Sequence, residues 1–304
     1  MIGLIPKMTS RGRVLETDPS SHVAESCRSL YNVIVESIPP EESKTILVTS
    51  PSRGDGKSTL ATNLAVAMAQ QGKHVLLIDA DFRAPSLARI FSLRGKEGLT
   101  NVLAGQDVSG VVHESGLTGL DVLPCGTFLG NPLEMLNSER FGAVLEYLAG
   151  LYDHIILDAP PTVPVDDARI IAASCDITLL VLRAGRANRR LAEIARDSLG
   201  AVGAKILGIV VNDVDPRHYA KYDGVYEDGP VGSGAGQSPA AQQDTGADFG
   251  AQLRTMLARR PATSSPSFNK DNGQQSKDVA HAALDGGVID DDDVDIIDEL
   301  PDRR

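Results

Sequence analysis

Ser50-Pro51-Ser52-Arg53-Gly54-Asp55-Gly56-Lys57-Ser58-Thr59 follows the apolar run Thr45-Ile46-Leu47-Val48-Thr49 and opens a second apolar segment, Leu60 to Gln71, that repeats at helical spacing. A strand, a glycine-bearing turn and a helix in that order make a cradle for phosphate. Glycines at 54 and 56 let the backbone approach without a Cβ clash, and the N–H groups of the turn face the anion. Lys57 supplies a cation and Ser58 a hydroxyl for Mg²⁺. The full pattern G-x-x-x-x-G-K-[ST] calls for glycine where this chain has Pro51. A bare G-x-G arises often by chance; Gly56-Lys57-Ser58-Thr59 between a strand and a helix is much more specific.

Outward from the loop, Gly72 stops the helix and His74-Val75-Leu76-Leu77-Ile78-Asp79 is a second buried strand, which makes a βαβ unit. That strand runs into Asp79-Ala80-Asp81-Phe82-Arg83-Ala84-Pro85, two carboxylates and an arginine at the carboxyl edge where open α/β sheets bind ligands. Asp81 alone could be the N-cap of a short helix, a common role for aspartate, but capping does not require Asp79 as well. His154-Ile155-Ile156-Leu157-Asp158 repeats the theme of an apolar strand ending in an acid, the expected second Mg²⁺ or water anchor of a phosphate-loop site.

Strands are also predicted over 120–124, 177–182 and 206–212, and helices over 21–34, 101–106, 138–148, 166–173 and 190–202, with Asn131 to Leu136 read as scaffold of no assigned element. The alternation predicts one doubly wound, mainly parallel α/β phosphate-loop domain over residues 20–214, preceded by a flexible arm at 1–19. Asn212, at the end of the last strand, can read a base edge through its amide or serve as an Asx-turn residue, with nearly equal weight. Beyond it stand Tyr219, Tyr222 and Tyr226, half of the six tyrosines of the chain, set among acids and glycine in a segment (215–228) unable to form a core. Residues 229–304 are predicted to be a disordered acidic tail, with a short amphipathic helix near 249–258.

The 304 residues carry 42% hydrophobic side chains, enough for a sizeable core, and a net charge of −12. From Asp285 onward nine acids stand against two arginines, so much of that charge belongs to the terminus. No basic stripe with interleaved aromatics is present, which excludes general nucleic-acid binding. Cys27, Cys125 and Cys175 are widely spaced and match neither a metal site nor a disulfide framework, as expected of reduced thiols in a cytoplasmic protein. The opening Met1-Ile2-Gly3-Leu4-Ile5-Pro6 is too short for a signal peptide, and no apolar run approaches the roughly 18 residues of a membrane span.

Together these motifs resemble the bacterial tyrosine kinases built on a phosphate-loop ATPase fold, cytoplasmic partners of membrane proteins that set polysaccharide chain length. The likeness runs from about Glu25 to Tyr226. It is carried by the loop ending at Thr59, by Asp79-x-Asp81-x-Arg83-x-Pro85 and by Leu157-Asp158-Ala159-Pro160-Pro161. Asn131 to Phe141, Arg183-Ala184-Gly185 and Val211-Asn212-Asp213-Val214-Asp215-Pro216 add to it. Such kinases commonly lack the first loop glycine, and Ser52 stands where the related partitioning ATPases carry a signature lysine.

The resemblance implies that Lys57 holds the β and γ phosphates of ATP, that Ser58 and Asp79 organise Mg²⁺, and that Asp158 supports the metal shell through water. Asp81 then accepts the tyrosine proton, while Gly54, Asp55, Gly56, Thr59, Arg83 and Asn212 join the nucleotide contacts. Tyr219, Tyr222 and Tyr226 match the tyrosine-rich tail that a neighbouring subunit phosphorylates. A membrane activator of the polysaccharide co-polymerase type, carried on a separate chain, and a phosphotyrosine phosphatase are the implied partners, and recruitment to the inner face of the membrane follows. The family assembles a ring through a helix bearing Glu, Arg and Arg at three-residue spacing; here Glu25 and Arg28 are followed by Tyr31, so one cation of that assembly is missing. The competing expectation is a nucleotide-switched scaffold ATPase of the partitioning or septum-placement class, which uses the same loop and aspartates. An interaction protein with a dead site fits least, because Lys57, Ser58, Asp79, Asp81 and Asp158 are all present.

Overall fold

The computed structural model describes residues 1–8, 18, 20–39, 44–95, 97–127 and 130–215. The tyrosine cluster, the 249–258 helix and the acidic terminus lie outside the described residues, as does most of the segment between 9 and 19.

The described chain forms one eight-stranded sheet in the order β1-β8-β7-β2-β6-β3-β5-β4. The strands are β1 (Gly3–Pro6), β2 (Thr45–Thr49), β3 (Val75–Asp79), β4 (His113–Glu114), β5 (Leu120–Leu123), β6 (His154–Asp158), β7 (Ile177–Arg183) and β8 (Ile206–Val214). Every pairing is parallel except β4 with β5. Strands β2, β3 and β6 are buried along their whole length, which is why they read as continuous apolar runs.

Alternation along each strand divides the interior in two. Ile46, Val48, Val75, Leu77, Ile156 and Leu179 face a core closed by helices α1 (His22–Ser37) and α2 (Lys57–Gln70) and by the short α3 (Leu87–Ile90). Leu47, Leu76, Ile78, Ile155, Leu157 and Leu180 face the other core. That second layer is covered by α4 (Leu99–Leu103), α5 (Pro132–Leu136), α6 (Glu139–Ala149), α7 (Asp167–Ala173) and α8 (Arg189–Ala201). Helices on both faces of a parallel sheet are the doubly wound architecture expected from the alternation of elements.

Three features differ from expectation. Residues 3–6, assigned by sequence to a flexible arm, are the edge strand β1, parallel to β8 with Gly3 opposite Val210 and Leu4 opposite Val211. Four residues bounded by glycine and proline are too few to show a period, but Ile5 is fully buried and anchors them. The antiparallel β4 was not expected, and the short helix placed at 101–106 begins earlier, at Leu99. Tyr31, on α1, lies in the core, 4% exposed. Its ring stands edge-on to His154 at 5.8 Å between centroids. The residue that departs from the family's charge triplet is therefore a packing residue, whereas Glu25 of the same helix is exposed.

Candidate functional site

The phosphate loop joins β2 to α2. Gly54 and Gly56 take φ of +89° and +96°, left-handed conformations that favour glycine. Carbonyls along the loop are held by protein donors. Ser50 Oγ donates to the Ser52 carbonyl at 2.7 Å, Arg183 Nη1 to that of Gly54 at 3.1 Å, Asn212 Nδ2 to that of Asp55 at 2.9 Å, and the Leu60 N–H to that of Gly56 at 2.9 Å. The Asp55 carboxylate turns back to accept the Ser52 N–H at 3.0 Å, and its burial pushes its pKa above the ordinary carboxylate value. Helix α2 starts at Lys57 with no acid in its first turn, so its N-terminal dipole and free N–H groups are available to an anion. Ser58 and Thr59 lie half-buried in that first turn.

A Cβ at residue 56 would be driven into Asn212 Nδ2, and φ is unfavourable for any side chain there. Gly56→Ala should therefore lower the unfolding free energy by about 1–3 kcal/mol and weaken nucleotide binding by at least about tenfold, read by urea unfolding and calorimetry. A variant that binds nucleotide like the native chain would refute the close packing of Asn212 on the loop.

The two strand-terminal acids stand side by side, because β3 and β6 pair in parallel with Asp79 opposite Asp158. Sequence placed each at a strand end; their adjacency is a consequence of register. Asp79 is fully buried and faces backbone donors: Oδ1 accepts the Asp81 N–H at 3.3 Å, while Oδ2 accepts those of Ser86 and Leu87 at 2.8 and 2.9 Å. The capping role weighed for Asp81 thus falls to Asp79, which tethers the start of α3. Asp81 instead accepts the Arg83 and Ala84 N–H groups through Oδ1 and pairs through Oδ2 with Lys57 Nζ at 3.0 Å.

Asp158 is fully buried, and apart from the nearby Ser58 hydroxyl, whose approach is not that of a well-directed hydrogen bond, its carboxylate oxygens meet no donor. Its pKa is raised chiefly by burial; Lys57 and the Ser58 hydroxyl oppose the shift, and the Asp79 and Asp81 charges add to it. Asp79 is raised for the same reason, burial outweighing its three backbone hydrogen bonds. A buried carboxyl with so few donors is costly unless a cation or an ordered water shell completes it. Among the described residues no group of three His, Cys, Asp or Glu side chains forms a metal site by itself. The donor set of Ser58, Asp79 and Asp158 fits a hard divalent ion that keeps several waters and shares its remaining positions with phosphate.

Arg83 is committed elsewhere. Its Nε and Nη2 grip the buried carboxylate of Asp167 at 2.8 and 3.0 Å, joining the segment after β3 to the start of α7. Asn212 meets the site through the loop backbone rather than through an open face: Nδ2 is on the Asp55 carbonyl, and Oδ1 is buried without a partner. Sequence reasoning gave no role to Asp167, Arg183 or Asp213. Arg183 ends β7 and contacts Asp213 through Nε at 2.8 Å and Nη2 at 2.6 Å. The one signal for it in the sequence is its place at a strand end, opening the family-like run Arg183-Ala184-Gly185.

Residues 46–230 match the family described as CobQ/CobB/MinD/ParA nucleotide binding domain. Among curated relatives, "Tyrosine-protein kinase CpsD" of Streptococcus agalactiae is 37% identical over 202 residues, 65% of this chain and 88% of that protein. The kinase domain of Escherichia coli tyrosine kinase ETK superposes with a TM-score of 0.67 at 25% identity, covering 78% of this chain and 94% of that one. The septum site-determining protein MinD from Pyrococcus horikoshii, complexed with Mg-ADP, reaches a TM-score of 0.50 at 24% identity over 62% of this chain and 79% of that one, a likeness of fold alone. With the phosphate loop and the paired Asp79 and Asp158, these likenesses show that the chain carries this nucleotide-binding domain and belongs to the bacterial tyrosine kinases.

Proposed function

We propose that the protein transfers the γ-phosphoryl group of ATP to tyrosines of its own 219–226 segment, in a system that controls extracellular or capsular polysaccharide synthesis or export. The observation that carries this reading is the contact of Lys57 with Asp81 beside the Asp79/Asp158 pair, a lysine and three carboxylates in one place, which supports reading Lys57 as the phosphate-binding cation, Asp81 as the proton acceptor and Asp158 as part of a cation site.

Lys57 leaves Asp81 for the β and γ phosphates when ATP enters, since a multiply charged anion competes well for the ammonium. Asp81 is thereby freed at the moment a base is needed. A phenol, with an ordinary pKa of about 10, is a poor nucleophile until a carboxylate begins to take its proton. The tyrosine oxygen then bonds to the γ phosphorus, the bond from phosphorus to the bridging oxygen breaks, ADP departs with that electron pair, and the proton rests on Asp81. Backbone N–H groups of residues 54–59 and the α2 dipole hold the phosphates in line. Ser58, with Asp79 and Asp158 beside it, would hold Mg²⁺, which would supply neutralisation of the phosphate charge.

A membrane activator of the polysaccharide co-polymerase type, a phosphotyrosine phosphatase and further copies of this chain complete the proposal. Among the described residues no helix is long and apolar enough to cross a membrane. The decisive experiment is incubation of the full-length protein with Mg-ATP and the cytoplasmic segment of the activator, followed by mass spectrometry of residues 215–228. Phosphate on Tyr219, Tyr222 or Tyr226 is the expected result. ATP hydrolysis with unmodified tyrosines would overturn it in favour of a switch ATPase.

A further inference from the structure

We propose that Arg183 and Asn212 form a carbonyl clamp on the phosphate loop, and that Arg183, held by Asp213, is a positioning residue that presets the loop for nucleotide phosphate without touching the nucleotide. The inference rests only on the nucleotide-binding half of the proposed function.

A trans peptide is planar, so the carbonyl of one residue and the N–H of the next point in opposite directions. Arg183 Nη1 holds the Gly54 carbonyl at 3.1 Å, and Asn212 Nδ2 holds that of Asp55 at 2.9 Å. Pinning those two carbonyls toward the ends of β7 and β8 turns the Asp55 and Gly56 N–H groups the other way, into the turn that cradles the anion. Gly54 and Gly56, at φ +89° and +96°, permit this orientation. With the Ser52 and Gly56 carbonyls also occupied, four carbonyls of the loop are kept from facing phosphate, where each would repel it.

The clamp is itself braced. Arg183 and Asn212 are register partners across β7 and β8. Asp213, at φ +62°, is one of two described non-glycine residues with a left-handed backbone. In a regular strand consecutive side chains point to opposite faces. The turn at Asp213 accompanies an arrangement in which both neighbours serve the loop, Asn212 directly and Asp213 by fixing the Arg183 fork at 2.6 and 2.8 Å. An isolated surface ion pair would contribute little and have no preferred direction. The added bond from Nη1 to the loop carbonyl gives this pair a direction.

Full-length protein carrying Arg183→Ala, Arg183→Lys or Asp213→Asn is titrated with Mg-ADP and Mg-ATP by calorimetry, and the thermal midpoint of each variant is measured without nucleotide. Arg183→Ala should weaken both nucleotides by about 10- to 30-fold, the range of a lost charge-assisted hydrogen bond, while the nucleotide-free midpoint moves by less than about 3 °C. Arg183→Lys should recover only part of the loss, because one ammonium cannot span Asp213 and Gly54 together. Asp213→Asn tolerates the left-handed backbone and should fall between the two. In the double variant the Asp213 effect should vanish, since it acts through Arg183. Hydrogen exchange should quicken at the Asp55 and Gly56 amides in Arg183→Ala. Affinity of Arg183→Ala within twofold of the native chain, or a loss that only tracks a fall in thermal midpoint, would overturn the clamp. If the native chain binds neither nucleotide, the functional reading fails and the clamp with it; native binding matched by the variants defeats the clamp alone.

Discussion

Lys57→Met is expected to slow phosphoryl transfer to the 219–226 tyrosines by about 10³-fold, the scale of removing one preorganised charged or polar donor from developing transition-state charge. The methionine keeps the length of the lysine stem, so the effect isolates the ammonium. That ammonium sits 3.0 Å from Asp81, with 11% of the lysine side chain and 3% of the aspartate exposed. The variant therefore strips a buried carboxylate of one partner while Oδ1 keeps its bonds from the Arg83 and Ala84 N–H groups. A stability loss of about 1–3 kcal/mol should accompany the kinetic loss. Urea unfolding measures the first and phosphotyrosine mass spectrometry the second. Retention of more than a tenth of the native transfer rate would mean that Lys57 is not the phosphate-holding cation.

What sequence could and could not disclose about this site follows from the range of the interactions involved. Fully buried parallel strands are uninterrupted apolar runs, so β2, β3 and β6 were visible, as was an aspartate closing two of them. The loop was visible because its chemistry is local: glycines for φ, a lysine and a hydroxyl within the five residues from Gly54 to Ser58. Adjacency of Asp79 and Asp158 was not visible, because it depends on which strands pair and in what register. The clamp was hidden for the same reason, its two bonds spanning 129 and 157 residues of chain. Arg83 shows the converse. Its position beside two acids suggested the nucleotide, yet an unforeseen partner, Asp167, holds it with two hydrogen bonds.

Tyr31 illustrates how a motif comparison and a packing description bear on one residue. By motif it stands where the family's ring-forming helix carries a cation; by packing it is an aromatic wedge against His154 beneath α1. Replacing a buried ring with arginine would demand a route to solvent for the guanidinium, which position 31 does not offer while its side chain points into the core. The departure is thus coupled to the interior of this chain. Any self-association through α1 must use Glu25 and its exposed neighbours without a third charge at 31.

Asp81→Asn should separate binding from chemistry. The carboxylate has two duties in the proposed mechanism, counter-ion to Lys57 before ATP arrives and proton acceptor afterwards. Asparagine keeps an oxygen for the Arg83 and Ala84 N–H groups that Oδ1 now serves, so the turn after β3 survives. It cannot take a proton from the phenol, and transfer should fall by about 10²- to 10⁴-fold. Nor can it neutralise Lys57, so ATP no longer has to displace an ion pair to reach the ammonium. Affinity for Mg-ATP should therefore stay level or tighten by a few fold while single-turnover transfer collapses. A residue with a purely structural role would lose both together. Calorimetry beside single-turnover kinetics distinguishes the cases, and a variant that binds ATP more weakly yet transfers phosphate at the native rate once saturated would remove Asp81 from the chemistry.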